Sequence, residues 1–137
     1  MSETTLIPKL VVADADAAMA FYREAFGATE IGCHRGGDGH VVHADLAIDG
    51  ARFSLKETDR YDPPNTSLLA LDVPDSDRVF ARAVAAGAEV IFPLATWFHG
   101  ERGGRVRDRF GNQWMISTVV EVLSEEEMAR RMAAYTG

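Results

Sequence analysis

The sequence has one cysteine, five prolines and no long apolar run, and each scarcity removes a class of protein. A lone thiol, Cys33, cannot build an internal disulfide framework. A membrane-spanning helix needs about 18 or more consecutive apolar residues, and no such stretch occurs. The polar opening Met1-Ser2-Glu3-Thr4-Thr5 does not read as a secretory signal, so the cytoplasm is the expected compartment and no membrane partner is expected. Positive charge is also scarce: 14 Lys and Arg against 21 Asp and Glu leave a net charge of -7. Without a basic stripe to displace counterions from phosphates, nucleic acid is excluded as a partner. The glycines at 100–104 lack the Gly-Lys-Ser/Thr of a phosphate loop. Gly36-Gly37-Asp38-Gly39 leads into a strand pattern rather than a helix, which removes a dinucleotide fingerprint.

What is present is a repeat. Leu10-Val11-Val12-Ala13-Asp14-Ala15-Asp16 and a helical run to Phe26-Gly27-Ala28 return as Leu71-Asp72-Val73-Pro74-Asp75-Ser76-Asp77 and a run to Ala86-Gly87-Ala88. A long period of this kind identifies two copies of one supersecondary unit. In the first copy, Leu6–Val12 reads as a strand and Asp14 as a helix N-cap. Met19, Tyr22 and Phe26 form the inward helix face, and Gly27 is the stop. Strands follow at 29–34, 41–48 and 53–57, with Asp49-Gly50 as a hairpin turn. The second copy repeats the order: a strand at 68–73, a helix capped by Asp75 with Val79, Ala83 and Ala86 inward, and strands at 89–94, 104–107 and 113–118. Ser124 with Glu127 forms a capping box opening a terminal helix without counterpart in the first half.

The expected architecture is therefore an α+β domain. Two tandem βαβββ modules form a curved mixed sheet around a cavity, with a C-terminal helix added. The first module spans 5–57, the linker 58–65, the second module 66–120 and the helix 124–134.

This order, the wording Val12-Ala13-Asp14-Ala15-Asp16 leading to Phe21-Tyr22 and Phe26-Gly27-Ala28, and the hairpin Asp108-Arg109-Phe110-Gly111-Asn112 resemble the vicinal oxygen chelate superfamily. That group includes glyoxalase I, extradiol dioxygenases, and fosfomycin- and bleomycin-resistance proteins. The resemblance implies a homodimer and, in the family's enzymes, a divalent metal held by histidines on the first strand of each module and glutamates on later strands. Carried over, those positions fall on Ile7, Leu68 (or Ser67), Met115 and Asp45. Only Asp45 carries a group suited to a hard divalent ion. No metal or other cofactor is therefore expected. The alternative is a divalent metal on His40, His43 and Asp45, completed by His34 or His99.

The expected cavity mixes Ile7, Leu68 and Met115 with His43, Asp45, Gln113 and Arg52, while Trp114 and Ile116 face the helices. The segment 96–104, with Trp97, His99 and Arg102, reads as a mobile rim able to stack on a planar ligand and grip an anion. Trp97 is equally readable as a core or interface residue, and Arg102 as the partner of Glu101 or Asp108. Cys33 beside His34 reads as a packing residue, with a reactive thiol as the lesser alternative.

Two ligand-based functions stay open, beside a protein with no ligand of its own that uses the fold for partner contacts. One is a small-molecule binding protein like the bleomycin-resistance branch, sequestering a drug or metabolite through His43, Asp45, Trp97, Arg102, Gln113 and Met115. The other is a glyoxalase- or dioxygenase-like lyase, isomerase or dioxygenase, with an atypical metal set or metal-free acid–base chemistry at His43 and Asp45.

Overall fold

The computed structural model describes residues 3–137. The first βαβββ module consists of β1 (Lys9–Val12), α1 (Ala15–Phe26), β2 (Thr29–Arg35), β3 (Val41–Ile48) and β4 (Ala51–Glu57). The second consists of β5 (Leu68–Asp72), α2 (Ser76–Ala85), β6 (Glu89–Thr96), β7 (Glu101–Arg107) and β8 (Gln113–Val119), followed by α3 (Glu125–Ala134). Each module makes its own four-stranded sheet, in the orders β1-β4-β3-β2 and β5-β8-β7-β6. In both, the first strand lies parallel to the fourth and the remaining pairs are antiparallel. The chain resolves into two compact units. One runs to Ser67 and includes Phe110–Asn112; the other is Leu68–Arg109 with Gln113–Gly137. No helix among the described residues is long and apolar enough to cross a membrane.

The helix boundaries follow from capping. The Asp14 carboxylate accepts the Ala17 N–H at 3.0 Å, Asp75 accepts that of Arg78 at 3.2 Å, and Ser124 accepts that of Glu127 at 3.1 Å. Each satisfies a donor the helix leaves unpaired. At the other end of α1, Gly27 takes φ 68° and returns its N–H to Arg23. The core of the first unit is aromatic. Tyr22, fully buried, stacks on Phe26 at 6.3 Å and meets Phe53 edge-on at 5.6 Å and Phe110 at 6.2 Å. Burying a side chain of this size stabilises by about 1.5–3 kcal/mol.

Three expectations need correction. The first strand begins at Lys9, not Leu6, and Leu6 is 94% exposed. Pro8 has no N–H to give to the ladder, although its carbonyl accepts from Ser54 at 2.8 Å. The inner face of α2 is Ser76, Phe80 and Ala83, with Val79 only half-buried. Ser76 sets that phase by donating its N–H to Thr118 Oγ1 and its hydroxyl to the Arg102 carbonyl, both at 2.8 Å. The segment expected as a rim over 96–104 is largely strand. A tight turn at Trp97–Gly100 is closed by the Trp97 N–H on Glu101 O at 2.7 Å, and β7 starts at Glu101.

The glycines of that segment serve close approach. A Cβ on Gly104 would lie 2.6 Å from the Phe80 ring and 2.8 Å from the Phe92 carbonyl. A Cβ on Gly100, which takes φ +92°, would lie 2.3 Å from the Glu121 carbonyl oxygen. Urea denaturation tests the helix phase: Phe80→Ala is expected to cost about 3 kcal/mol. Val79→Ala, on the half-buried side, should cost less than about 1 kcal/mol.

Candidate functional site

In the second unit, alternation along β8 divides its side chains cleanly. Trp114 and Ile116 are buried, and the indole Nε1–H of Trp114 donates to Asp108 at 2.9 Å. Met115, 37% exposed, and Ser117 point to the opposite face. There α3 is tethered by one residue. The Arg131 guanidinium donates to the Phe98 carbonyl at 2.8 Å, to Glu121 at 2.9 Å and to Glu127 at 3.0 Å. Phe98 in turn stacks on Tyr135 at 4.9 Å with the rings 26° from parallel.

The result is a cavity of about 470 Å³ walled by Phe92, Trp97, Phe98, Met115, Met132 and Tyr135. Its polar groups are His99 and Glu101, paired at 3.1 Å, together with Ser117 and Arg105. The Arg105 guanidinium lies 5.1 Å over the Phe92 ring and donates to Gln113 at 3.4 Å. Its buried Nε has no protein partner among the described residues.

The first unit carries a charged site instead. His43 and Asp45 share a face of β3, as alternation requires, with Nε2 and Oδ2 3.0 Å apart. The parallel register sets Lys9 opposite Ser54, which is itself opposite Asp45. This brings Lys9 Nζ to 2.5 Å from His43 Nδ1. An ammonium only donates and a carboxylate only accepts, so the imidazole takes Lys9 on Nδ1 and gives Nε2–H to Asp45. Arg52 closes on the other oxygen of Asp45 at 3.4 Å. His34 lies nearly parallel to His43 at 6.5 Å between ring centres. The bond from His43, assisted by the charge of Arg52, holds the Asp45 carboxyl below the usual carboxylate range. Partial desolvation pushes the Lys9 amine below the usual lysine range, although Asp45 opposes the shift.

The six sequence-selected residues thus divide between the units. His43 and Asp45 meet in the first; Trp97 and Met115 line the cavity in the second. The fork of Arg102 is filled by Asp77, at 2.8 and 3.1 Å, so it clamps β7 to α2 rather than facing a ligand. Neither Glu101 nor Asp108 is that partner. Gln113 is engaged by Arg105 and does not wall the cavity. The sequence reading missed Lys9, Phe92, Arg105 and Tyr135. Among these only Phe92 carried a signal, as a bulky aromatic in an otherwise edge-like strand containing Pro93.

The donors present do not suit a divalent metal. His40, which would complete the alternative set, is paired with Asp38. Both nitrogens of His43 are engaged, and Arg52 closes on the other oxygen of the Asp45 carboxylate. Among the described residues no three His, Cys, Asp or Glu side chains gather as a metal site.

The sequence profile of the glyoxalase/bleomycin resistance protein/dioxygenase superfamily matches residues 4–116. The chain belongs to that superfamily. It is 36% identical over 147 residues to an uncharacterized protein of Mycobacterium tuberculosis, covering 96% of this chain and 84% of the relative. Among solved structures it is similar to TioX from Micromonospora sp. ML1, at 26% identity and TM-score 0.74, over 85% of this chain and 99% of that one. The fosfomycin resistance protein FosX of Listeria monocytogenes shares the fold at 20% identity and TM-score 0.66, over 93% and 99%.

The Arg102–Asp77 pair gives a direct check on the site. The guanidinium holds Asp77 below its ordinary value of 3.8, so the folded state binds the proton less readily than the unfolded state. The pair's contribution is present above that value and lost as pH falls through the depressed one. Arg102→Ala should lower Tm slightly at pH 7, with the difference from wild type closing in strong acid. Ligand affinity should not change.

Proposed function

We propose that this superfamily member is a small-molecule binding protein whose ligand is planar and largely apolar, held in the cavity under α3. One observation carries this reading: aromatic and methionine side chains enclose about 470 Å³ around a few convergent polar groups. That volume and balance are those of small-ligand sites. Trp97, Phe98 and Tyr135 offer ring faces, and methionines 115 and 132 adapt to irregular shapes. Ser117 supplies a hydroxyl and Glu101 a carboxylate for the polar substituents. Membership of a superfamily that includes bleomycin resistance proteins supports sequestration of a drug or metabolite.

No metal or other cofactor enters this proposal, and it places the protein in the cytoplasm as a homodimer. The metal-free acid–base reading at His43 and Asp45 keeps separate support from their hydrogen bond.

Thermal shift with planar bicyclic probes (2-naphthol, quinoline, 2-naphthoate) tests the cavity, because a bound ligand raises Tm by mass action. Trp97→Ala and Tyr135→Ala are expected to weaken the best probe by about tenfold or more, equal to about 1.4 kcal/mol. A probe that stabilises all three proteins equally would place the site elsewhere. A stoichiometric transition metal in the purified protein would contradict the cofactor-free proposal.

A further inference from the structure

We propose that Lys9 is a nucleophilic amine that captures a carbonyl compound, an aldehyde or ketone, with His43 as its base and Asp45 as the residue that positions His43. This site lies in the first unit and stands independently of the cavity in the second.

The chain has twelve arginines but only two lysines, Lys9 and Lys56, and the structure treats them oppositely. Lys56 Nζ is held by two carboxylates, Asp59 at 2.8 Å and Asp62 at 2.6 Å, which raise its affinity for the proton. Its lone pair is locked away. Lys9 instead meets an imidazole nitrogen at 2.5 Å, on an exposed face of β1 that an incoming molecule can reach. Asn65 fixes the backbone there. Its Nδ2–H donates to the Lys9 carbonyl at 3.3 Å, and its Oδ1 accepts the Val11 N–H at 2.9 Å.

The order amine, imidazole, carboxylate is that of an activated nucleophile, its base and the group orienting the base. The groups facing Lys9 are His43 and Asp45 from β3, Lys56 from β4 and Asp62 from the segment after it, with Arg52 and His34 beyond. Partial burial and the charge of Lys56 favour the neutral amine, while Asp45 and Asp62 oppose it.

The chemistry balances without a further reactant. The Nζ lone pair attacks the carbonyl carbon, an N–C bond forms, and the C=O π pair moves to oxygen. The proton lost from Nζ passes to His43 Nδ1, with Nε2–H held by Asp45, and from Nδ1 to the carbinolamine oxygen. The remaining Nζ–H proton follows the same route through His43 Nδ1, so the oxygen leaves as water and a neutral imine remains on Lys9. Nothing is oxidised or reduced.

The test is the full chain treated with pyridoxal 5′-phosphate and sodium cyanoborohydride, which fixes an imine as a stable amine, followed by peptide mapping across a pH series. Lys9 is expected to label about tenfold or more faster than Lys56 at pH 7, with a lower pH midpoint. His43→Gln keeps an acceptor for Lys9 but removes the base. It should bring the Lys9 rate down towards that of Lys56, whose own rate serves as the control for folding. Asp45→Asn should lower the Lys9 rate above the midpoint while moving the midpoint down, because an opposing negative charge is gone. A merely structural loss would not produce that split. Equal labelling of the two lysines in the wild type overturns the proposal. So does a Lys9 rate unaffected by His43→Gln.

Discussion

The parallel pairing of the first and fourth strands of each module is the constraint on which both sites depend. A parallel pair cannot be closed by a hairpin, so the chain must cross over, and α1 and α2 are those crossovers. The register then decides which side chains become neighbours. In the first sheet it puts Lys9 beside Ser54 and within reach of His43, 34 residues away in sequence. In the second it puts Met115 beside Ala70 and opposite Arg105. A slip of one residue in either pair would turn these side chains to the opposite face.

The same topology carries two different chemistries. The face of the first sheet collects Lys9, His43, Asp45 and Arg52, where hydrogen bonds and charge hold each group to its neighbours. The face of the second collects rings and thioethers beneath α3, where area and stacking dominate. Ile7, Leu68 and Met115, onto which the resemblance read from the sequence maps metal ligands, offer no hard donor. Asp45, the one carboxylate, is already neutralised by side chains of its own unit.

Local signals were legible in the sequence. Asp14, Asp75 and Ser124 cap the helices they were expected to cap, and Asp49-Gly50 turns with φ of 47° and 84° between β3 and β4. Alternation also sorted His43 with Asp45 and Met115 away from Trp114. What escaped depended on distant partners. Lys9 gains its meaning only from the parallel register, and Arg102 only from Asp77 on α2. Tyr135 stands just past the end of α3, and only the docking of that helix through Arg131 and the stacking on Phe98 bring it to the cavity. Gly103-Gly104 looked like a flexible loop because close backbone approach and flexibility write the same residue.

The central claim is that a planar ligand sits against the turn that begins at Trp97. The chain has two tryptophans, and Trp114 is buried and bonded to Asp108 while Trp97 is 38% exposed at the cavity wall. Titrating 2-naphthoate while following tryptophan emission reads that wall directly. The account predicts saturable quenching in the wild type that disappears in Trp97→Phe, with the Trp114 emission unchanged. A ligand that stabilises the protein yet leaves the Trp97 emission untouched would contradict it.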